Sequence, residues 1–136
     1  HNIDGIIATN TSLSRPEILQ DLNKKKEGGL SGTPIKNLSD NVLKFLYQET
    51  NQELILIGVG GVSCANDVYN KIKLGASLVQ LYTSLTYNGP QLINKILIDL
   101  VRLFKADGFK NVSEAVGVDN KWKILLKLHL LKERDR

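Results

Sequence analysis

"LILIGVGGVS", Leu54–Ser63, sets a run of large apolar residues against a turn almost without side chains. A short, wholly apolar run of this kind suits a strand buried on both faces of a parallel sheet. Gly58, Gly60 and Gly61 then mark the strand exit, where a backbone can take positive φ or approach another group with no Cβ between them. Two further runs resemble the first, Ile3 to Ala8 and Ser77 to Tyr82, and each is followed by small or polar residues.

Helical patterns separate these strands. Ser39 is the expected N-cap of a helix reaching Glu49, with Val42, Leu43, Phe45 and Leu46 as its apolar set. Ser63 is the expected cap of a second helix running to Leu74, with Gly75 as its stop. Pro90 opens a third, in which Leu92, Ile93, Ile96, Leu97, Leu100, Val101 and Phe104 trace one broad stripe before Gly108. Strand, long loop, helix, strand, helix, strand, helix predicts an α/β fold with a parallel sheet and right-handed crossovers. Three such units cannot close a barrel, which takes about 250 residues in eight units. Spacing alone therefore leaves a doubly wound sheet open beside a barrel segment.

The 136 residues, 42% hydrophobic, suffice for one small core and not for two ordinary domains. The chain starts at His1 and contains no Met, from which we expect an excised or partial piece of a longer protein. No apolar run approaches the ~20 residues of a membrane span, and no charged-then-apolar signal segment opens the sequence. Any address label is expected upstream. Cys64 is the single cysteine, so no internal disulfide forms, and it is expected as a small residue at a helix start.

Net charge is +4, concentrated at Lys24, Lys25 and Lys26 and in the tail from Lys121 to Arg136. Nucleic-acid binding would interleave such charge with stacking aromatics, but these make up only 6% of the chain, so we expect no nucleic-acid partner. The tail "KWKILLKLHLLKER", Lys121–Arg134, reads as a basic leucine-rich helix separate from residues 1–120. Packing on the body, a membrane surface and a partner helix all remain open for it.

Chemistry is expected at the strand exits. The glycine turn suits a phosphate, whose oxygens gain from several converging N–H groups, although a plain tight turn uses the same residues. The following exit, "QLYTSLTYNGP" at Gln80–Pro90, adds Thr83 and Ser84, and paired exits of this kind often build phosphate sites in parallel barrels. The first exit, "ATNTS" at Ala8–Ser12, offers Thr9, Asn10, Thr11 and Ser12 for directed hydrogen bonds to a planar polar ligand, or an ordinary polar loop. Leu13 to Asn37, containing "EGGLSG", is long enough to act as a lid or binding loop. His1 and His129 lack a catalytic setting, Asp67 and Asp99 fall within helical patterns suited to surface or helix-dipole roles, and no spacing suits a metal. A proton-transfer residue is expected outside these residues.

"DGIIATNTS", "GGLSGTPIKNLS", "LILIGVGGVS", "KIKLGASLVQLYTSLTYNGP" and "GFKNVSEAVGVD", in this order, resemble the C-terminal part of dihydroorotate dehydrogenase, above all its quinone-dependent, membrane-associated class. The resemblance implies a partial TIM barrel, with the three strands as the sixth, seventh and eighth, and it implies FMN as cofactor. Asn10 and Thr11 then match substrate-binding positions, Thr9 a position beside the flavin, Ser31 and Gly32 a flavin-contacting loop, and Gly60, Gly61, Tyr82 and Thr83 the FMN phosphate cradle. The implied reaction oxidises dihydroorotate to orotate in pyrimidine synthesis and passes electrons to quinone at the mitochondrial inner membrane. The catalytic base, a serine in this class, and the membrane-associating N-terminal region are expected upstream of His1, so the piece alone is expected to be inactive and poorly soluble. Two alternatives stay open: a soluble class using fumarate or NAD, and a truncated product that only binds phosphate ligands or partners.

Overall fold

The computed structural model describes residues 3–120; the helix expected over residues 121–136 lies outside the described residues. Three strands, β1 (Gly5–Ala8), β2 (Ile55–Val59) and β3 (Leu78–Gln80), form one parallel sheet in the order β1, β2, β3. Ala8 lies opposite Gly58, and Val59 opposite Gln80, so all three chains leave the sheet at one end. The expected α/β order is thus present, with β1 and β2 starting later than expected and β3 shortened at both ends.

Helix α1 (Lys36–Glu49) follows a short 3-10 turn at Thr33–Ile35. Ser39 does not cap it. The helix begins three residues earlier, because Pro34 presets the preceding turn, and Ser39 is fully buried on the inner face. That face carries Leu43 and Tyr47, with Leu46 packed beside them; of the expected apolar set Leu43 is fully buried, whereas Phe45 is 60% exposed. Leu43, Tyr47, Leu56 and Ala76 close one buried cluster between α1 and the sheet.

Helix α2 (Ala65–Lys73) is capped at Cys64, one residue beyond the expected Ser63. The Asp67 carboxylate explains the shift. Its Oδ2 accepts from the Cys64 N–H at 3.2 Å, the Ser63 N–H at 2.9 Å and the Ser63 hydroxyl at 2.8 Å, satisfying donors that an opening helix otherwise leaves unpaired. Asp67 is therefore buried rather than a surface residue.

Beyond β3 come α3 (Thr83–Asn88), α4 (Gln91–Ala106) and the single turn α5 (Val112–Ala115). Helix α4 starts beside Pro90 as expected and buries Leu92, Ile96, Leu100 and Phe104 against α2, with Phe104 meeting Tyr69 edge to face at 5.3 Å. The short α3 lay outside the sequence expectation, since six residues give too little periodicity to read. Ile93, Leu97 and Val101, the other half of the α4 stripe, stay exposed.

Both helices α1 and α2 cover one face of the sheet, where Leu56 is fully buried. The opposite face is open. Ile7, Ile55 and Leu78 are each more than half exposed there, and both β1 and β3 are edge strands. An apolar face flanked by two unpaired edges favours self-association. Residues 3–120 produced alone are expected to bind a hydrophobic dye and to elute above monomer size in gel filtration; a dye-silent monomer would show that the open face is covered.

Candidate functional site

The glycine turn after β2 is shaped first by α1. Gly61 has φ +73° and lies so near the start of α1 that an added Cβ would overlap the Lys36 backbone, coming 2.8 Å from its N. Gly60 has φ +111°, and a Cβ there would stand 3.0 Å from the Ser39 hydroxyl. These glycines are therefore needed to seat a helix against a strand end, independently of any ligand.

Hydrogen bonds then join the three exits. The Val59 carbonyl accepts the Thr9 N–H at 3.0 Å and the Ser39 hydroxyl at 2.6 Å, tying the first exit and α1 to the glycine turn. The Val62 carbonyl accepts the buried Ser84 hydroxyl at 2.5 Å, which ties the third exit to the same turn. The long loop is pinned as well. Ser12 and Leu30 exchange backbone bonds at 2.9 and 2.7 Å, and Gly29 packs directly on Thr11, bringing Ser31 within 3.0 Å of the Thr83 hydroxyl, which donates to it. The Arg15 guanidinium organises the remainder by donating to the carbonyls of Leu13, Lys24, Lys26 and Gly28.

These constraints enclose a cleft of about 170 Å³ at the C-terminal ends of the strands. Thr9, Asn10 and Thr11 line it from β1, Gly60 and Gly61 from β2, Tyr82 and Thr83 from β3, and Ser31 and Gly32 from the long loop. The nine residues matched to a family site thus face one space, whereas Ser12 and Ser84, also candidates from sequence, do not line it. Apolar Ile35, Val59, Val62 and Leu81 complete the lining. The volume is below the ~300–1,000 Å³ typical of a small-ligand site. The described residues alone enclose less space than such a ligand occupies.

A charged chain lies beneath the turn, unforeseen from sequence. The Lys71 ammonium, fully buried, donates to the Ser39 hydroxyl at 2.8 Å and to the Asp40 carboxylate at 2.7 Å. Asp40 also pairs with Lys36 at 2.7 Å, and Lys36 lies 3.7 Å from Asp67. The one signal was Lys71 itself, placed between Val68 and Ile72 on the buried stripe of α2. Burial works against charge on Lys36, yet bonding to Asp40 and the Asp67 charge carry its pKa above the ordinary lysine value. Burial likewise pushes Asp67 up, but bonds from Ser63 and Cys64 and the Lys36 charge bring it below the ordinary carboxylate value. Among the described residues no group of His, Cys, Asp or Glu is arranged to hold a metal ion, and no helix is long and apolar enough to cross a membrane.

Comparison with known proteins accounts for this arrangement of exits. A family model for dihydroorotate dehydrogenase matches residues 1–104 of the 136. The chain belongs to the dihydroorotate dehydrogenase family. It is 49% identical over 117 residues to the dihydroorotate dehydrogenase (quinone) of Xanthobacter autotrophicus, covering 86% of this chain and 33% of that protein. It is 46% identical over 119 residues to the mitochondrial dihydroorotate dehydrogenase (quinone) of Mus musculus, covering 88% of this chain and 30% of that one. The crystal structure of ligand-free DHODH from Eimeria tenella superimposes with a TM-score of 0.84 at 38% identity, over 87% of this chain and 33% of that one. The chain spans about a third of the length of these relatives.

Two outcomes follow for this turn. Gly61→Ala in the intact protein is expected to destabilise through left-handed strain of about 1–2 kcal/mol and overpacking of about 1–3 kcal/mol. Gly28→Ala, where φ is +118° but nothing lies within 4 Å, is expected to show the strain alone; equal losses in urea melts would contradict the α1 contact. Because the Asp67 pKa is lowered on folding, its ionised form stabilises above the unfolded value of 3.8 and that contribution is lost as pH falls through the folded value. The Tm gap between wild type and Asp67→Asn is accordingly full at neutral pH and narrows below pH 3.8; a constant gap would show that the charge is immaterial.

Proposed function

We propose that this chain is the C-terminal portion of a quinone-dependent dihydroorotate dehydrogenase, in which it supplies part of the FMN site and part of the substrate site. Residues 1–120 are then the last three βα units of an eight-stranded barrel, and residues 121–136 a separate basic tail. The observation that carries this reading is the convergence of three parallel strand exits and one long loop on a single cleft, in a chain of this family. The edges of β1 and β3 are where the remaining strands would join, and closing them would enclose the open sheet face.

In this reading Gly60, Gly61, Tyr82 and Thr83 hold the FMN phosphate, since glycine amides and a threonine hydroxyl can approach phosphate oxygens closely. Ser31 and Gly32 flank the flavin from the long loop, and Thr9 does so from β1. Asn10 and Thr11 bind dihydroorotate. An amide and a hydroxyl match the alternating donors and acceptors of a pyrimidine and its carboxylate. When bound, FMN supplies hydride acceptance and passes the electrons on to quinone. The contribution of this chain is orientation: its exits are fixed to one another by Val59, Val62 and the Ser12–Leu30 pair before any ligand arrives.

No catalytic base is assigned to the chain, and the base is placed on the strands that complete the barrel. The same reading places the intact protein at the mitochondrial inner membrane, in keeping with relatives from Mus musculus and Arabidopsis thaliana that are named mitochondrial. Purified intact protein is expected to show a flavin spectrum and dihydroorotate-dependent reduction of a soluble quinone analogue. Asn10→Ala should lower kcat/KM for dihydroorotate by about 10- to 100-fold, the equivalent of one strong hydrogen bond. Absence of flavin, or electron transfer to fumarate or NAD in place of quinone, would overturn the assignment.

A further inference from the structure

We infer that Lys71 and Ser39 are positioning residues for the phosphate end of the flavin site, acting on it through the Val59 carbonyl. The inference rests on the FMN reading above and assigns a role to side chains that do not line the cleft.

Ser39 carries a single hydroxyl proton and two acceptor lone pairs. Lys71 can only donate. With its ammonium 2.8 Å from Ser39 Oγ, one lone pair is taken, and the Ser39 proton is committed to the Val59 carbonyl 2.6 Å away. The same carbonyl receives the Thr9 N–H from the β1 side. Val59 and Gly60 share a trans peptide plane, in which C=O and N–H point in opposite directions. Holding the carbonyl toward α1 and β1 therefore turns the Gly60 N–H the other way, toward the β3 exit with Tyr82 and Thr83. Glycine at positive φ imposes little orientation of its own, so the direction of this N–H depends on what grips the carbonyl.

The far end of the turn is gripped by the same charged chain. Lys71 pairs with Asp40, Asp40 with Lys36, and Lys36 lies beside Asp67, whose carboxylate accepts the Ser63 N–H. Gly60, Gly61 and Val62 are thus suspended between two anchored points. Lys71 itself is fully buried and 3.1 Å from where a Gly58 Cβ would stand, so it acts on a ligand only through the turn.

The phosphate separates this role from general support of the fold. Riboflavin has the same ring system and ribityl chain as FMN but no phosphate, and it senses the cleft without sensing the cradle. Apoprotein of the intact enzyme is titrated with each flavin by fluorescence quenching, as wild type, Ser39→Ala, Lys71→Met and the double variant. Either single change is expected to weaken FMN by about tenfold, the value of one charge-assisted hydrogen bond, and to leave riboflavin unchanged. The double variant should be no weaker than the poorer single one, because both remove the same relay. Parallel loss of FMN and riboflavin, additive losses, or a fall in Tm with FMN affinity intact would overturn the inference. Should Lys71→Met fail to fold, Ser39→Ala decides alone, since it leaves the Lys71 pair with Asp40 in place. Wild-type protein that takes up neither flavin would instead overturn the FMN reading itself, an outcome distinct from normal FMN uptake that the variants fail to alter.

Discussion

A lysine ammonium with no access to water lies under the middle strand, and much of the rest of the arrangement depends on how its charge is met. Removing such a group from water costs several kcal/mol, and a single imperfect partner does not offset that. Here Asp40 and Ser39 both lie within hydrogen-bonding distance, and Asp40 is in turn held by Lys36. Each partner comes from α1, whereas Lys71 belongs to α2. Any sliding of one helix over the other would strand a buried charge, so their register is fixed more sharply than leucine packing alone would fix it.

That register decides where the strand exits stand. Because α1 is locked to α2, its first turn presses on the glycine turn so closely that only Gly61 fits beside the Lys36 backbone. Two requirements therefore fall on the same residues. Absence of side chains lets α1 in from behind and leaves amides uncovered in front. The glycines are consequently weaker evidence of a ligand than they look, and the stronger evidence is the joining of the turn to Thr9 and Ser84 from the neighbouring exits.

Most of the backbone order was legible because it rests on local pattern. Apolar runs located all three strands, and the i, i+4 series located α4. Caps were less legible: the α2 cap lies one residue beyond Ser63, and the α1 cap is Ile35, four residues before Ser39. Ser39 and Ser63 are both good N-cap types, but Pro34 moves the start of α1 ahead of Ser39, and the Asp67 carboxylate serves Cys64 and Ser63 together. The nine cleft residues were found as exits and motifs in sequence, yet their convergence depends on sheet register and on the Ser12–Leu30 bridge, which no local pattern encodes. The Lys36, Ser39, Asp40, Lys71 network was illegible for the same reason. Its members are 31 and 32 residues apart in the two bonds that matter, and a lysine between Val68 and Ile72 gives no hint of its partner.

The division of labour within the cleft follows from where the sheet ends. Around β2, a strand on each side and helices α1 and α2 behind hold the glycine turn. Asn10 and Thr11 sit instead beyond the edge strand β1, and they are exposed, with Asn10 Oδ1 accepting the adjacent Thr11 N–H at 2.7 Å. The glycine turn is thus held by buried side chains on both sides, and Asn10 and Thr11 by exposed loop contacts. A phosphate is held best by a preformed cradle, because its charge is symmetric and makes no demand on later adjustment. A substrate pocket that must also accept groups from further strands gains from completing itself last. On the proposed reading, the described residues would supply a built phosphate end and a substrate end that further strands complete.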